Sequence, residues 1–321
     1  MDFFKRYLWW LCSFAVAIIL VVGYTLVFAP PPDFPSDSIV VIVRGASASD
    51  ISEQLSDAKV IKHPSILNLV LRISGTSSRV QSGAYLFKMP QNLLAVAYRL
   101  ITGDYKLPPI RITFPEGVTV RDIALKTAEA FPDISAEEFL SYGRQQEGYL
   151  FPDTYLFPVS ADAKTIISTM RENFNTKIES LSDDVQASGH SLSDIVIIAS
   201  LVEKEVRTNE NKRIVAGILW TRLERGMPLQ VDAVFGYIFN RDTYSPSFSD
   251  LKTESPYNLY LHKGLPPGPI ANPGLESIQA ALYPTKTNYL YYLTGSDDLM
   301  HYATTYAGHQ ANQLKYSFSN Q

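Results

Sequence analysis

The chain has 321 residues, 46% of them hydrophobic and 19% charged, with a formal net charge of −4. That mildly acidic balance argues against nucleic acid as a partner, because such partners select basic surfaces. The single cysteine, Cys12, excludes an intramolecular disulfide, so ordinary hydrophobic cores must hold the fold.

The first predicted element is a membrane helix. Leu8–Ala29 contains no charged residue and is long enough to cross a bilayer, which takes about 20 apolar residues. Lys5 and Arg6 precede it; Pro30–Pro32 and Asp33 follow. By the positive-inside rule the short tail stays in the cytoplasm and the remainder is exported. A cleaved signal peptide is the competing reading, but its apolar core usually runs about 7–15 residues and ends on small residues. This run is longer, and Phe28-Ala29-Pro30 makes a poor cleavage site. Residues 1–35 therefore read as tail, retained anchor (residues 8–29) and the start of a stiff spacer, Pro30–Ser38.

Residues 36–108 read as a small α+β module. Ile39–Val43 is an apolar, β-branched strand. Gly45 turns the chain, and Ser47 with Asp50 has the spacing of a capping box opening a helix through Leu55. Ser82–Phe87 suggests a second strand, and Asn92–Ile101 a helix ended by Gly103. The strand–turn–helix start of this module resembles the LysM-like fold, which binds N-acetylglucosamine polymers.

Residues 109–321 read as a mixed α/β domain with long ordered loops. Ile110–Ala128 repeats the strand, glycine turn and capped helix, now with Thr119 and Asp122. Further helices are expected over Ser135–Arg144, Ala163–Leu181, Ser191–Val206 and Asn211–Arg225. The last hundred residues are rich in Pro, Gly, Asn and Tyr and include a strand near Tyr289–Leu293. Structured loops of this kind often form the walls of a site.

Ile195–Val206, IVIIASLVEKEV, carries the strongest chemical signal. On a 3.6-residue helix Ile195, Ile198, Val202 and Val206 share a face, widened by Ile197 and Leu201. Glu205 points into that apolar arc, and Glu203 falls on the opposite flank near Val196 and Ser200. A carboxyl aimed into apolar surface is desolvated and kept protonated, as a general acid must be. The competing reading is an amphipathic helix whose polar end begins at Glu203, with Glu205 in an ion pair.

Five segments then fall in register: Glu147–Tyr155 (EGYLFPDTY), Ala199–Glu205 (ASLVEKE), Arg222–Gln230 (RLERGMPLQ), Ser255–Tyr260 (SPYNLY) and Gly264–Ile270 (GLPPGPI), the last followed by Asn272-Pro273-Gly274. Together with the anchor and the module behind it, they resemble the MltG-type endolytic murein transglycosylases, the YceG-like family. Two places depart from the family pattern. Val231-Asp232-Ala233-Val234 stands where a serine, aspartate, proline and threonine are usual, and Leu299–Ala303 matches a glycine–histidine motif only through His301, with His309 beyond.

The resemblance implies a lytic transglycosylase. Such an enzyme cuts the β-1,4 bond between N-acetylmuramic acid and N-acetylglucosamine without water, leaving 1,6-anhydro ends. One glutamic acid protonates the glycosidic oxygen, then takes the proton of the C6 hydroxyl as the ring closes. The resemblance places this glutamate in V-E-K-E, and helical phasing prefers Glu205, with Glu203 the alternate. Gln230, Asp232, Tyr257 and Asn258 become candidates to hold the sugar, although loop scaffolding explains them as well. Glu147, Asp153 and Tyr155 fit a supporting role better than a catalytic one. No metal or cofactor is expected: His63, His190, His262, His301 and His309 show no metal-ligand spacing. The implied partners are peptidoglycan strands, the membrane, and a glycan polymerase with its transpeptidase. Two other classes stay open. One is a wall-binding scaffold with an inert glutamate. The other is a hydrolase pairing Glu203 with Glu205, which an ideal helix sets about 160° apart.

Overall fold

A computed structural model describes residues 2–43, 45–241 and 245–316. The side chains of Lys5, Arg6 and Cys12, used above for topology and redox state, lie outside the described residues. The chain divides into two compact units, Met1–Ile110 with Pro158–Ser160, and Arg111–Phe157 with Ala161–Gln321. Helices and short strands mix throughout, with the strands in three two-stranded sheets.

The first unit opens with helix α1 (Asp2–Val27). Its Trp9–Val27 stretch has a mean hydropathy of 2.3 and no burial, so it is long and apolar enough to cross a membrane. Strands β1 (Ser38–Ile42) and β2 (Gly83–Phe87) pair antiparallel, with Val40 opposite Tyr85. Alternate residues Val40, Ile42, Tyr85 and Phe87 turn inward, as period-two side chains must. Between the strands lie α2 (Ala48–Asp57) and α3 (Pro64–Ile73), and α4 (Leu93–Thr102) follows them. Both bonds of the expected Ser47–Asp50 capping box are present, and Gly103 ends α4 with a positive φ of 69°. Helix α3 was not anticipated. Pro64 at its start reads locally as a breaker, yet proline is well placed in a first turn, and the helix buries Leu67 and Leu71.

In the second unit β3 (Ile110–Thr113) pairs with β4 (Thr154–Phe157). Helix α5 (Val120–Ala130) carries the second capping box, Thr119 with Asp122, and packs on α6 (Ala136–Gly143). The helix expected over Ala163–Leu181 is α7 (Ala163–Glu179), and a short helix that was not anticipated, α8 (Ser182–Ser188), follows it. Then follow α9 (Leu192–Glu205), α10 (Asn209–Glu224), α11 (Ala233–Phe239) and α12 (Leu275–Leu282). Strands β5 (Tyr291–Thr294) and β6 (Met300–Ala303) form an antiparallel hairpin before α13 (Tyr306–Tyr316).

Helix α9 is the axis of this unit. The two-sided helix expected from its sequence is instead buried on all sides: every residue from Ile195 through Val202 is covered. Helices α10, α11 and α12 pack against it. Each large aliphatic side chain enclosed this way contributes about 1.5–3 kcal/mol, so the C-terminal end of α9 is held firmly. Polar groups lock the surrounding backbone as well. Ser200 Oγ accepts from the Ile270 amide at 3.1 Å, and Trp220 Nε1 donates to the Ala281 carbonyl at 2.9 Å. Gly148, with φ of 85°, lies so close to Pro269 that a Cβ there would come within 2.4 Å of its ring.

Candidate active site

Helix α9 ends on the two glutamates, and the structure gives them opposite surroundings. Glu203 is nearly enclosed, with 8% of its side chain exposed, and pairs at 3.0 Å with Lys212, which is 3% exposed. Its other oxygen accepts from the Gly274 amide at 2.9 Å and from Ser277 Oγ at 2.7 Å. Glu203 thereby neutralises a buried lysine and caps the start of α12, where a negative charge suits the helix dipole. The ion pair expected as the alternative for Glu205 belongs to Glu203.

Glu205 has no cationic partner among the described residues. It opens onto a cavity of about 400 Å³ together with Arg222, Gln230, Asp232 and Tyr260. One carboxyl oxygen accepts from the Ala233 amide at 3.3 Å, the other from Tyr292 Oη at 3.1 Å. Burial raises its pKa to about 7, and the nearby Asp232 charge pushes the same way, against the two hydrogen bonds. Glu205 is thus a cavity-facing carboxyl whose pKa is raised to about 7, so that it keeps its proton to a higher pH than an exposed glutamate does.

Asp232 precedes α11 and is held by Tyr260, whose hydroxyl donates to Oδ1 at 2.5 Å. Gln230 takes a left-handed backbone, φ 52°. Its Oε1 accepts from Arg222 Nη2 at 2.7 Å, so its amide N–H groups remain as donors. Arg222 Nη1 also holds the Leu229 carbonyl at 2.9 Å, so the guanidinium grips the backbone next to Gln230 as well as its side chain.

The structure therefore brings Glu205, Gln230 and Asp232 to one cavity and places the other candidates elsewhere. Asn258 is fully buried; its Nδ2 donates to the carbonyls of Leu251 and Thr253, and its Oδ1 accepts from the Tyr260 amide. It shapes the loop that presents Tyr260. Tyr257 packs on Tyr237, ring centroids 5.0 Å apart. Asp153 and Tyr155 share Asn173, whose Nδ2 donates to Asp153 Oδ2 at 3.2 Å and to Tyr155 Oη at 2.9 Å. Both Glu147 oxygens accept from the Val120 amide at 3.1 Å, and Asn272 Nδ2 donates to one of them. Glu147 lines a second cavity, and its burial raises the carboxyl to about 8.

Sequence reasoning missed much of the first cavity's wall. Arg222 lies inside, 4% exposed, its guanidinium 5.3 Å from the Tyr291 ring. Its place in the signal was visible: it follows Val215 and Ile218 on one face of α10 and opens the RLERGMPLQ motif. Tyr260 was likewise visible as the last residue of the SPYNLY motif, whereas Tyr291 and Tyr292 gave no such sign, because tyrosines are common throughout the last hundred residues. Of the two histidines noted above, His301 faces Asp297 at 3.1 Å and stacks on Tyr316. His309 lines the cavity, where burial and the Arg222 charge lower its pKa. Among the described residues no cluster of His, Cys, Asp or Glu could hold a metal ion.

Comparison with known proteins agrees over nearly the whole length. The YceG-like family profile matches residues 40–315. A Bacillus subtilis protein named endolytic murein transglycosylase is 30% identical over 302 residues, spanning 86% of this chain and 83% of its own length. A Streptococcus pneumoniae protein of the same name is 26% identical over 315 residues and 85% of this chain, and the match spans 57% of its length. A 2.6 Å crystal structure of a yceG-like protein from Listeria monocytogenes superposes with a TM-score of 0.59 at 27% identity, covering 85% of this chain and 98% of that one.

Proposed function

Because the chain belongs to the YceG-like family, we propose that it is an endolytic murein transglycosylase that cuts peptidoglycan strands through a single acid/base, Glu205. The observation that carries this reading is the contrast at the end of α9: Glu203 is ion-paired to a buried lysine, whereas Glu205 opens onto a cavity with its pKa raised to about 7. In the first step the Glu205 proton passes to the glycosidic oxygen and the bond from that oxygen to C1 of muramic acid breaks. The C6 hydroxyl oxygen of the same sugar then bonds to C1, and its proton returns to Glu205. The product ends in 1,6-anhydro-muramic acid, and no water is consumed. The tyrosine Oη at 3.1 Å steadies the carboxylate between the two steps. Asp232 holds Glu205 protonated by charge repulsion and is placed to stabilise positive charge at C1. The Gln230 amide, fixed by Arg222, serves as donor to the sugar N-acetyl or hydroxyl oxygens.

The presence of Asp232 beside Glu205 also supports a second reading, a two-carboxylate hydrolase in which Asp232 activates water. Mass spectrometry of digested glycan separates the two. Anhydro-muramic ends are expected; reducing ends carrying a water oxygen would replace transglycosylation by hydrolysis.

Two further parts belong to this reading. Helix α1 acts as a retained anchor, supported by its length and hydropathy. An export reporter fused after Ser38 is expected to work only outside the cytoplasm, and recovery of a soluble protein beginning near Pro30 would overturn retention. The strand–helix–helix–strand order of residues 38–87 supports a LysM-like, glycan-holding role for the first unit. The spacer of Pro30–Ser38 spans under roughly 30 Å even when extended. Cutting then takes place near the membrane, where a polymerase and transpeptidase deliver new strands.

A further inference from the structure

The cavity around Glu147 holds a charge pattern that the proposed chemistry leaves unused. It measures about 470 Å³ and lies between the start of α5, the end of α6 and one side of α11. Arg121, Arg144, Lys204 and Arg241 line it, against two acids. Both acids are already engaged. Asp122 closes the capping box with Thr119, accepting from its amide at 3.0 Å and its hydroxyl at 2.7 Å. Glu147 accepts from the Val120 amide and from Asn272, and burial raises its pKa to about 8. Arg121 and Arg144 are exposed, and among the described residues neither has an ion pair. Leu125, Leu140 and Ile270 supply an apolar wall. The lining therefore combines basic side chains with an apolar patch.

This cavity is also tied to the first one. Ala233 lines it, while the Ala233 amide bonds Glu205 at 3.3 Å. Lys204, also in its lining, is the residue that separates the two glutamates. The two cavities therefore flank the start of α11, with Asp232 lining the first and Ala233 the second.

We propose that the cavity is a subsite for the anionic peptide carried by muramic acid, an inference that rests on the transglycosylase reading above and adds a ligand to it. The stem peptide of peptidoglycan joins the lactyl group of each muramic acid and combines small alanine methyls with free carboxylates. Alanine methyls match the apolar wall, and carboxylates match the arginines, whose planar forks bind such groups bidentately. A cavity of this size lies in the range that small ligands occupy, about 300–1,000 Å³. A bare sugar ring would satisfy neither the charge nor the apolar wall.

The test compares two substrates on the full chain in detergent: glycan strands bearing stems, and the same strands with stems removed by an amidase. The wild type should prefer the stem-bearing strands. In the Arg121→Ala, Arg144→Ala double variant the ratio of kcat/KM between the two substrates should fall about tenfold, the size expected from losing two partly exposed ion pairs. An unchanged ratio, or an equal loss on both substrates, would overturn the subsite. A second arm does not depend on turnover. Released stem tetrapeptide is titrated calorimetrically into the Glu205→Gln protein, with and without the arginine substitutions. Binding that weakens about tenfold on substitution supports the proposal, and no binding, or binding indifferent to the substitutions, refutes it. Failure of the wild type to cut either strand would count against the transglycosylase reading, and the titration would still decide the subsite.

Discussion

The two sides of the α9 terminus make the most instructive contrast in the molecule. Glu203 and Glu205 are two residues apart on one helix, in the same buried unit, and their chemistry diverges. On one side a lysine, a backbone amide and a serine hydroxyl surround the carboxylate. On the other a tyrosine and one amide bond the carboxyl, with a second acid close by and no ion pair among the described residues. Burial with a compensating charge leaves a carboxylate ionised; burial without one raises its pKa.

The sharpest way to break this contrast is to remove the proton. Glu205→Gln keeps the shape and is expected to lower turnover of glycan about 10³-fold, within the range general acid/base groups supply. Its thermal unfolding should stay near the wild type. If Glu205→Gln cuts normally while Glu203→Gln does not, the two assignments must be exchanged. Glu203→Gln is expected to act through stability instead. It leaves Lys212 charged and enclosed, and losing one partner of a buried pair costs about 3 kcal/mol or more. Urea denaturation would read that loss, and adding Lys212→Met should recover part of it. Activity per folded molecule should change far less than in Glu205→Gln.

A smaller step on the same side is Ser277→Ala. It removes the 2.7 Å hydrogen bond to Glu203, so a stability loss of about 1.5 kcal/mol is expected. No movement of the pH–rate profile should accompany it. On the Glu205 side the expected effect is a shift of that profile. The acid must be protonated to act, so cleavage should fall as pH rises through about 7. Asp232 raises the Glu205 pKa, so Asp232→Asn should move the alkaline limb to lower pH. Tyr292 lowers it through its hydrogen bond, so Tyr292→Phe should move the limb to higher pH. Movement of both limbs in the same direction would contradict the electrostatic account.

Much of the local structure was legible in the sequence. Ser47 with Asp50, and Thr119 with Asp122, announced two helix starts whose capping boxes are both present. Gly103 announced the end of α4. These signals work because each capping bond joins residues three apart, or four at most in the helix itself. Helix α3, the short helix α8 and the all-round burial of α9 were less legible. In α9 the reason is plain: an apolar stripe predicts one buried face, and only the packing of α10, α11 and α12 covers the other.

What the sequence determined by itself was a charge-free apolar stretch near the N-terminus, a set of capped secondary elements, the family's motifs in register, and a pair of carboxylates at the end of an apolar helix. What only the tertiary structure decided was which carboxylate is neutralised and which is left to hold a proton. Ser277 reaches Glu203 across 74 positions of sequence, and Tyr292 reaches Glu205 across 87. Helical phase is a property of neighbours along the chain, whereas desolvation and charge pairing depend on whatever the fold brings near, and those two terms set the state of a buried acid.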